Sequence, residues 1–73
     1  MELVPYRGRR LAVTTMPLVD GRFGIRFLGV WSSVNGHRGY TNVTPPEESF
    51  PSLQAAEESA LDILKRVVDQ GLA

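Results

Sequence analysis

Cysteine is absent from the 73 residues. That excludes a disulfide staple, a thiolate zinc site and a thiol nucleophile. Histidine occurs once, as His37, so no transition-metal centre is expected from imidazole ligands. Long apolar runs are missing too. No stretch is long enough to span a bilayer, and the first residues lack the hydrophobic region of a signal peptide. The expected location is therefore cytoplasmic, with no membrane partner. An excess of charge is lacking as well, since eight Lys and Arg balance eight Asp and Glu. Lysine is scarce among the cations. Seven of the eight are arginine, which favours planar, bidentate contacts to carboxylate or phosphate.

What the chain does contain is a well-marked helix over Ser52 to Leu72. Ser52 suits the N-cap, because its hydroxyl accepts from a first-turn N–H that has no intrahelical partner. Leu53, Ala56, Ala60, Ile63, Leu64, Val67 and Val68 recur at spacings of three and four and form one apolar stripe. Glu58, Asp62, Lys65, Arg66 and Asp69 fall opposite, with Asp62 and Arg66 spaced for an i,i+4 pair. Gly71 suits the left-handed position past the helix end, with Leu72 reaching back to Val67. An isolated helix of this length is marginal in water, so the stripe needs a partner surface.

Two hairpins supply that surface. Val19-Asp20-Gly21 fits a three-residue loop closed by a left-handed glycine. The loop pairs Thr15 with Ile25 and Val13 with Phe27, which puts Leu11, Val13, Phe23, Ile25 and Phe27 on one face. Pro17 cannot donate to a ladder and points to an edge strand. Asn35-Gly36 reads as a two-residue turn that pairs Val34 with His37 and Trp31 with Tyr40, both aromatics facing the helix. Residues 44–49 cross to the helix. The expected fold is α+β, a three-stranded antiparallel meander with one C-terminal helix on one face, in a single domain over residues 1–73. Residues 2–7 stay open between a short strand and a loose arm.

Charge is unevenly spread. Residues 1–44 carry six arginines against Glu2 and Asp20, a balance of +4, and residues 45–73 carry the matching −4. The sheet is basic and the helix acidic. Chemistry is harder to find. His37 follows a turn glycine and has no nucleophile or orienting partner in the pattern. Glu47-Glu48 and Glu57-Glu58 are adjacent pairs, whose members point in different directions and cannot flank one substrate atom. No G-x-S-x-G is present. No catalytic, cofactor-binding or metal-ligating residue is assigned, and a non-enzyme is expected.

Two motifs echo nucleic-acid binders. Gly36-His37-Arg38-Gly39 matches the GXXG of KH domains but sits in a hairpin, where that loop must join helices. Arg22-Phe23-Gly24-Ile25-Arg26-Phe27 faintly resembles the aromatic strand of RNA-recognition motifs, with its phenylalanines expected to face the helix. More broadly, Tyr6-Arg7-Gly8, the Asp20-Gly21 hairpin and Phe50-Pro51-Ser52 opening a helix with Ala56 and Ala60 resemble small bacterial β-β-β-α proteins. They are also distantly similar to the core of HicB-type antitoxins, which usually add a further strand and often a DNA-binding segment. Double-stranded-RNA-binding domains have a related layout, but here the helix start, residues 52–58, is acidic and not lysine-rich.

The leading functional expectation is a protein-interaction or accessory module working through the sheet face opposite the helix. Its partner would be another protein or a second copy of the chain. In the expected register that face carries Arg10, Met16, Arg26, Leu28, Val30 and Val43, with Ala12, Val34 and Thr41 among them. Apolar area rimmed by arginine has the character of a protein interface. The alternative expectation is nucleic-acid binding through Arg7, Arg9, Arg10, Arg26 and Arg38.

Overall fold

The helix forms as its spacing predicts. It runs over Leu53–Asp69 (α1), and the Ser52 hydroxyl accepts from the Ala55 N–H at 3.1 Å. At the other end Gly71 adopts φ +75°, with the Gly71 N–H donating to the Val68 carbonyl and the Leu72 N–H to that of Val67. Those two bonds satisfy carbonyls that would otherwise end the helix unpaired. The buried stripe is Ala56, Ala60, Leu64 and Val68; Leu53, expected on it, is exposed. Asp62 makes no ion pair with Arg66. Among the described residues the ion pair is that of Arg7 with Asp69, at 3.3 Å.

The structure is a computed structural model that describes residues 3–34 and 36–72, and of Val34 the backbone alone. Asn35 of the expected turn, and the Val34 side chain expected on the open face, lie outside the described residues. The fold is α+β, an antiparallel sheet with a C-terminal helix, but among the described residues the sheet has four strands, in sequence order across it. These are β1 (Leu3–Tyr6), β2 (Arg9–Pro17), β3 (Phe23–Val34) and β4 (His37–Val43).

The expectation of three strands fails at Arg7-Gly8. Both residues have positive φ, 49° and 75°, the geometry of a tight hairpin turn. Asparagine or aspartate would advertise that turn, and arginine does not. Pro5, which weakened the case for a strand, is tolerated because β1 is an edge. Pro17 also sits at an edge locally, since β1 pairs with β2 only as far as Ala12.

The Val19-Asp20-Gly21 loop has the expected geometry. The Gly21 N–H donates to the Leu18 carbonyl, the Leu18 N–H donates to that of Arg22, and Gly21 has φ +82°. Thr15 faces Ile25 as expected. Thr14, however, faces Phe27, so β3 advances two residues while β2 advances one. This is a β-bulge at Arg26, and beyond it every side chain of β3 changes face.

The core follows from that bulge. Leu11, Ile25, Leu28 and Val30 pack with Ala60, Leu64 and Val68, and Val4, Tyr6, Val13, Val43 and Phe50 close around them. The extra residue lets Ile25, Leu28 and Val30 share one face although their spacing is three and then two. Aliphatic side chains suit a helix whose contact stripe includes Ala56 and Ala60, because they allow the close packing that interiors require. Rings of the size of Phe27 and Trp31 would hold the helix off the sheet. Burying Leu28 alone contributes roughly 1.5–3 kcal/mol.

Candidate functional site

The sheet face away from the helix is built on β3. Leu28 and Val30 point into the core, so Phe27, Gly29 and Trp31 point the other way. Across the ladder, Gly29 pairs with Ala12 and Asn42, and Trp31 with Arg10 and Tyr40. Phe27, Trp31 and Tyr40 are 52%, 43% and 46% exposed. These are large exposures for aromatic side chains, two of them on the inner strand β3 and Tyr40 on the edge strand β4. Trp31 and Tyr40 pack with ring centroids 4.7 Å apart and planes inclined at 50°.

Tyr40 does not lie flat against its neighbour strand by chance. Its hydroxyl and ring carbons occupy the space in which a Cβ on Gly29 would sit. The missing side chain at residue 29 lets the ring settle onto β3 between Phe27 and Trp31. The result is a row of three rings, with about 13 Å between the Cα atoms of residues 27 and 31 at the ordinary strand rise.

Arginines border the row unevenly. Arg10 lies directly across from Trp31, and Arg38, across from Ser33, lies on the same face. With Leu3 and Trp31 they line a shallow concavity that also includes Gly8 and Ser33. Among the described residues neither Arg10 nor Arg38 has a carboxylate partner. Arg26, on the bulge, lies over the Phe27 ring with its guanidinium carbon 5.4 Å from the centroid. It also lines a separate groove with Met16, Leu18, Gly24 and Pro45, to which Glu47 and Glu48 contribute as well. Those carboxylates make the Phe27 end electrostatically mixed, and the Trp31 end stays cationic.

The residues assigned from sequence divide accordingly. Arg10, Met16 and Arg26 lie on the open side. Leu28 and Val30 are fully buried under the helix, and Val43 packs on the same core. All three belong to the core and not to an interaction surface, because the bulge reverses the parity on which they were assigned. Thr41 turns to the helix side with Val30, its partner. Trp31 and Tyr40 pair as expected but on the opposite face. Of the other arginines, Arg38 is on the open face. Arg7 is tied to Asp69 on the helix side, and Arg9 points to that side and donates to the Arg7 carbonyl at 3.0 Å. Arg22 is held by Ser49, through its hydroxyl at 2.7 Å and its carbonyl at 3.0 Å.

Sequence reasoning therefore missed the aromatic row. The signal was present in Gly29, an unexplained glycine in the middle of a strand, which marks a site where another group approaches closely.

Among the described residues no three His, Asp or Glu side chains converge as a metal site. No helix among them is long and apolar enough to cross a membrane. Comparison with protein-family models, with curated proteins and with solved structures finds no match to this chain.

Proposed function

We propose that the open face of the sheet binds single-stranded nucleic acid. Bases would stack on Trp31 and Tyr40, and phosphates would be held by Arg10 and Arg38. The observation that carries this reading is the row Phe27–Tyr40–Trp31 laid over Gly29, with two arginines at one end that have no carboxylate partner among the described residues. Base–aromatic stacking is worth roughly 1–3 kcal/mol per base and tolerates any sequence. A broad sheet face suits splayed bases better than the groove of a duplex, which admits a helix or a two-stranded ribbon.

Neutral overall charge argued for protein partners at the level of sequence. Its weight falls once the charges have positions. Glu57, Glu58 and Asp62 are exposed on α1, across the sheet from the arginines. A helix about 10 Å thick separates them from the sheet. At physiological salt the solvent path between the two faces is screened over a Debye length of about 8 Å, so the acidic helix opposes phosphate binding at Arg10 and Arg38 less than a neighbouring carboxylate would.

The second reading is protein docking on the same face. It is favoured by Leu3, which is 42% exposed beside Trp31, since apolar area with tryptophan, tyrosine and arginine is the composition of interface hot spots. One experiment separates the two. Trp31 is the sole tryptophan, so its fluorescence reports directly on the face. Titration with a short oligothymidylate or oligouridylate in low salt should quench it. If Arg10 and Arg38 each neutralise one phosphate, log affinity should fall with log salt at a slope of about −1.4. Arg10→Ala should reduce that slope by about 0.7. No response in low salt, or one indifferent to salt, would reject nucleic acid and leave the protein-docking reading.

A further inference from the structure

The two edges of the sheet are built differently. A two-residue turn makes the pair that closes it the hydrogen-bonded one, and bonding then alternates along the ladder. At Arg7-Gly8 the closing pair is Tyr6 with Arg9. Val4 and Tyr6 therefore bond to β2, and Leu3 and Pro5 turn their backbone outward. Proline has no N–H to offer there. β1 is thus short and has lost a donor at an outward position, the usual guard on an edge.

β4 has no such guard. Two residues separate Val34 from His37, which pair, so His37, Gly39, Thr41 and Val43 bond to β3. Arg38, Tyr40 and Asn42 turn their N–H and C=O groups outward. Neither proline nor lysine occurs in the strand, and Arg38, Tyr40 and Asn42 are all exposed. The helix packs on β2 and β3, away from this edge.

We infer that the β4 edge pairs with β4 of a second copy, antiparallel about a two-fold axis at Tyr40. The register is self-complementary. Tyr40 meets the partner's Tyr40, and Arg38 meets the partner's Asn42, so all three outward residues exchange both backbone bonds. No like charges face one another. Slipping the register by two residues leaves an outward residue unmatched, and a further slip toward the turns opposes the two Arg38 side chains, which is unfavourable. The product is one continuous sheet with both helices on the same side. The two Trp31–Tyr40 pairs become neighbours on the other side. The inference rests on backbone donors and acceptors, independently of what the aromatic face binds.

The test is made on the full chain without nucleic acid. Sedimentation equilibrium from about 10 µM to about 1 mM covers the range of a small interface and should show a monomer–dimer equilibrium. Amide exchange followed by NMR should slow at Arg38, Tyr40 and Asn42 as concentration rises, while Gly39 and Thr41 are protected throughout. Asn42→Pro removes an outward donor that β3 does not use, and should raise the dissociation constant at least about tenfold. Asn42→Ser should dimerise like the parent. A chain that stays monomeric to the top of the range, with fast exchange at the three amides, overturns the inference. So does an Asn42→Pro variant that dimerises undiminished. Should Asn42→Pro fail to fold, the exchange pattern of the parent decides alone.

Discussion

Tyr40 and Gly29 fit together as ring and socket: the phenol fills the volume that any Cβ on residue 29 would need. One side chain on β4 thus depends on the absence of another on β3. The face that carries Trp31 takes its shape from that dependence.

Gly29→Ala should therefore act on Tyr40 before it acts on the strand. The added methyl displaces the ring, which swings away from Trp31 and breaks the 4.7 Å ring contact. Near-ultraviolet circular dichroism and Trp31 emission should both change while far-ultraviolet dichroism stays native. An unaltered near-ultraviolet spectrum would mean that Tyr40 does not rest on Gly29 in solution. Where the face binds nucleic acid, the same variant should weaken binding by the value of about one stacked base, roughly 1–3 kcal/mol.

The two sides of β3 should respond oppositely to charge. Leu28 is fully buried, so Leu28→Asp would bury a carboxylate without a partner and should cost more than about 4 kcal/mol, enough to unfold a small domain. Phe27→Asp, one residue earlier on the half-exposed face, should cost no more than about 1 kcal/mol. Urea denaturation distinguishes the two. Equal effects would place the bulge elsewhere.

Deleting Arg26 offers a sharper check on the bulge. With the extra residue gone, Ile25 and Leu28 remain on the helix side, Phe27 and Trp31 remain outside, and the ladder becomes regular. The variant should unfold cooperatively with a native near-ultraviolet spectrum. Deleting Val30 instead should reverse the faces of the strand beyond it and abolish folding. If the Arg26 deletion fails to fold, the bulge lies at another residue.

The helix stripe gives the steepest stability contrast. Leu64→Ala removes a fully buried side chain and should cost about 2–4 kcal/mol through lost burial and a residual cavity. Glu58→Ala, on the exposed face, should change stability by less than about 0.5 kcal/mol. Matching denaturation midpoints for this pair would be incompatible with the packing of α1.

A pH dependence follows from Tyr6. Its hydroxyl donates to both carboxylate oxygens of Asp69, at 2.9 and 3.0 Å. That bond, more than burial or the Asp69 charge, raises its pKa above the ordinary 10.0. The folded state thus favours the protonated phenol. The contribution is fully present below the unfolded value and is lost as pH rises through the folded one. Relative to Tyr6→Phe, the parent should hold a constant advantage up to about pH 9 and lose it progressively above about pH 10. A difference that is flat through alkaline pH would show that the bond does not form.

The sequence by itself determined the helix and the two later hairpins, and not the first, whose Arg7-Gly8 turn carries no asparagine or aspartate. Ser52, the 3–4 spacing of Ala56, Ala60, Leu64 and Val68, and Gly71 act within a turn or two of chain, as does Gly21 in its loop. Interactions of that range are legible as spacing. It also determined that Trp31 meets Tyr40, because two residues between Val34 and His37 leave one register. Only the tertiary structure decided which way those rings point. Strict alternation put Ile25 and Phe27 on one face, yet the helix packs closely against Leu28 and Val30 and leaves the rings outside. A single extra residue at Arg26 accommodates that choice, at little local cost and with a reversal of every side chain beyond it. No spacing rule reveals such a residue, because its reason is the fit of aliphatic side chains under a helix that begins 27 residues further along the chain, at Leu53.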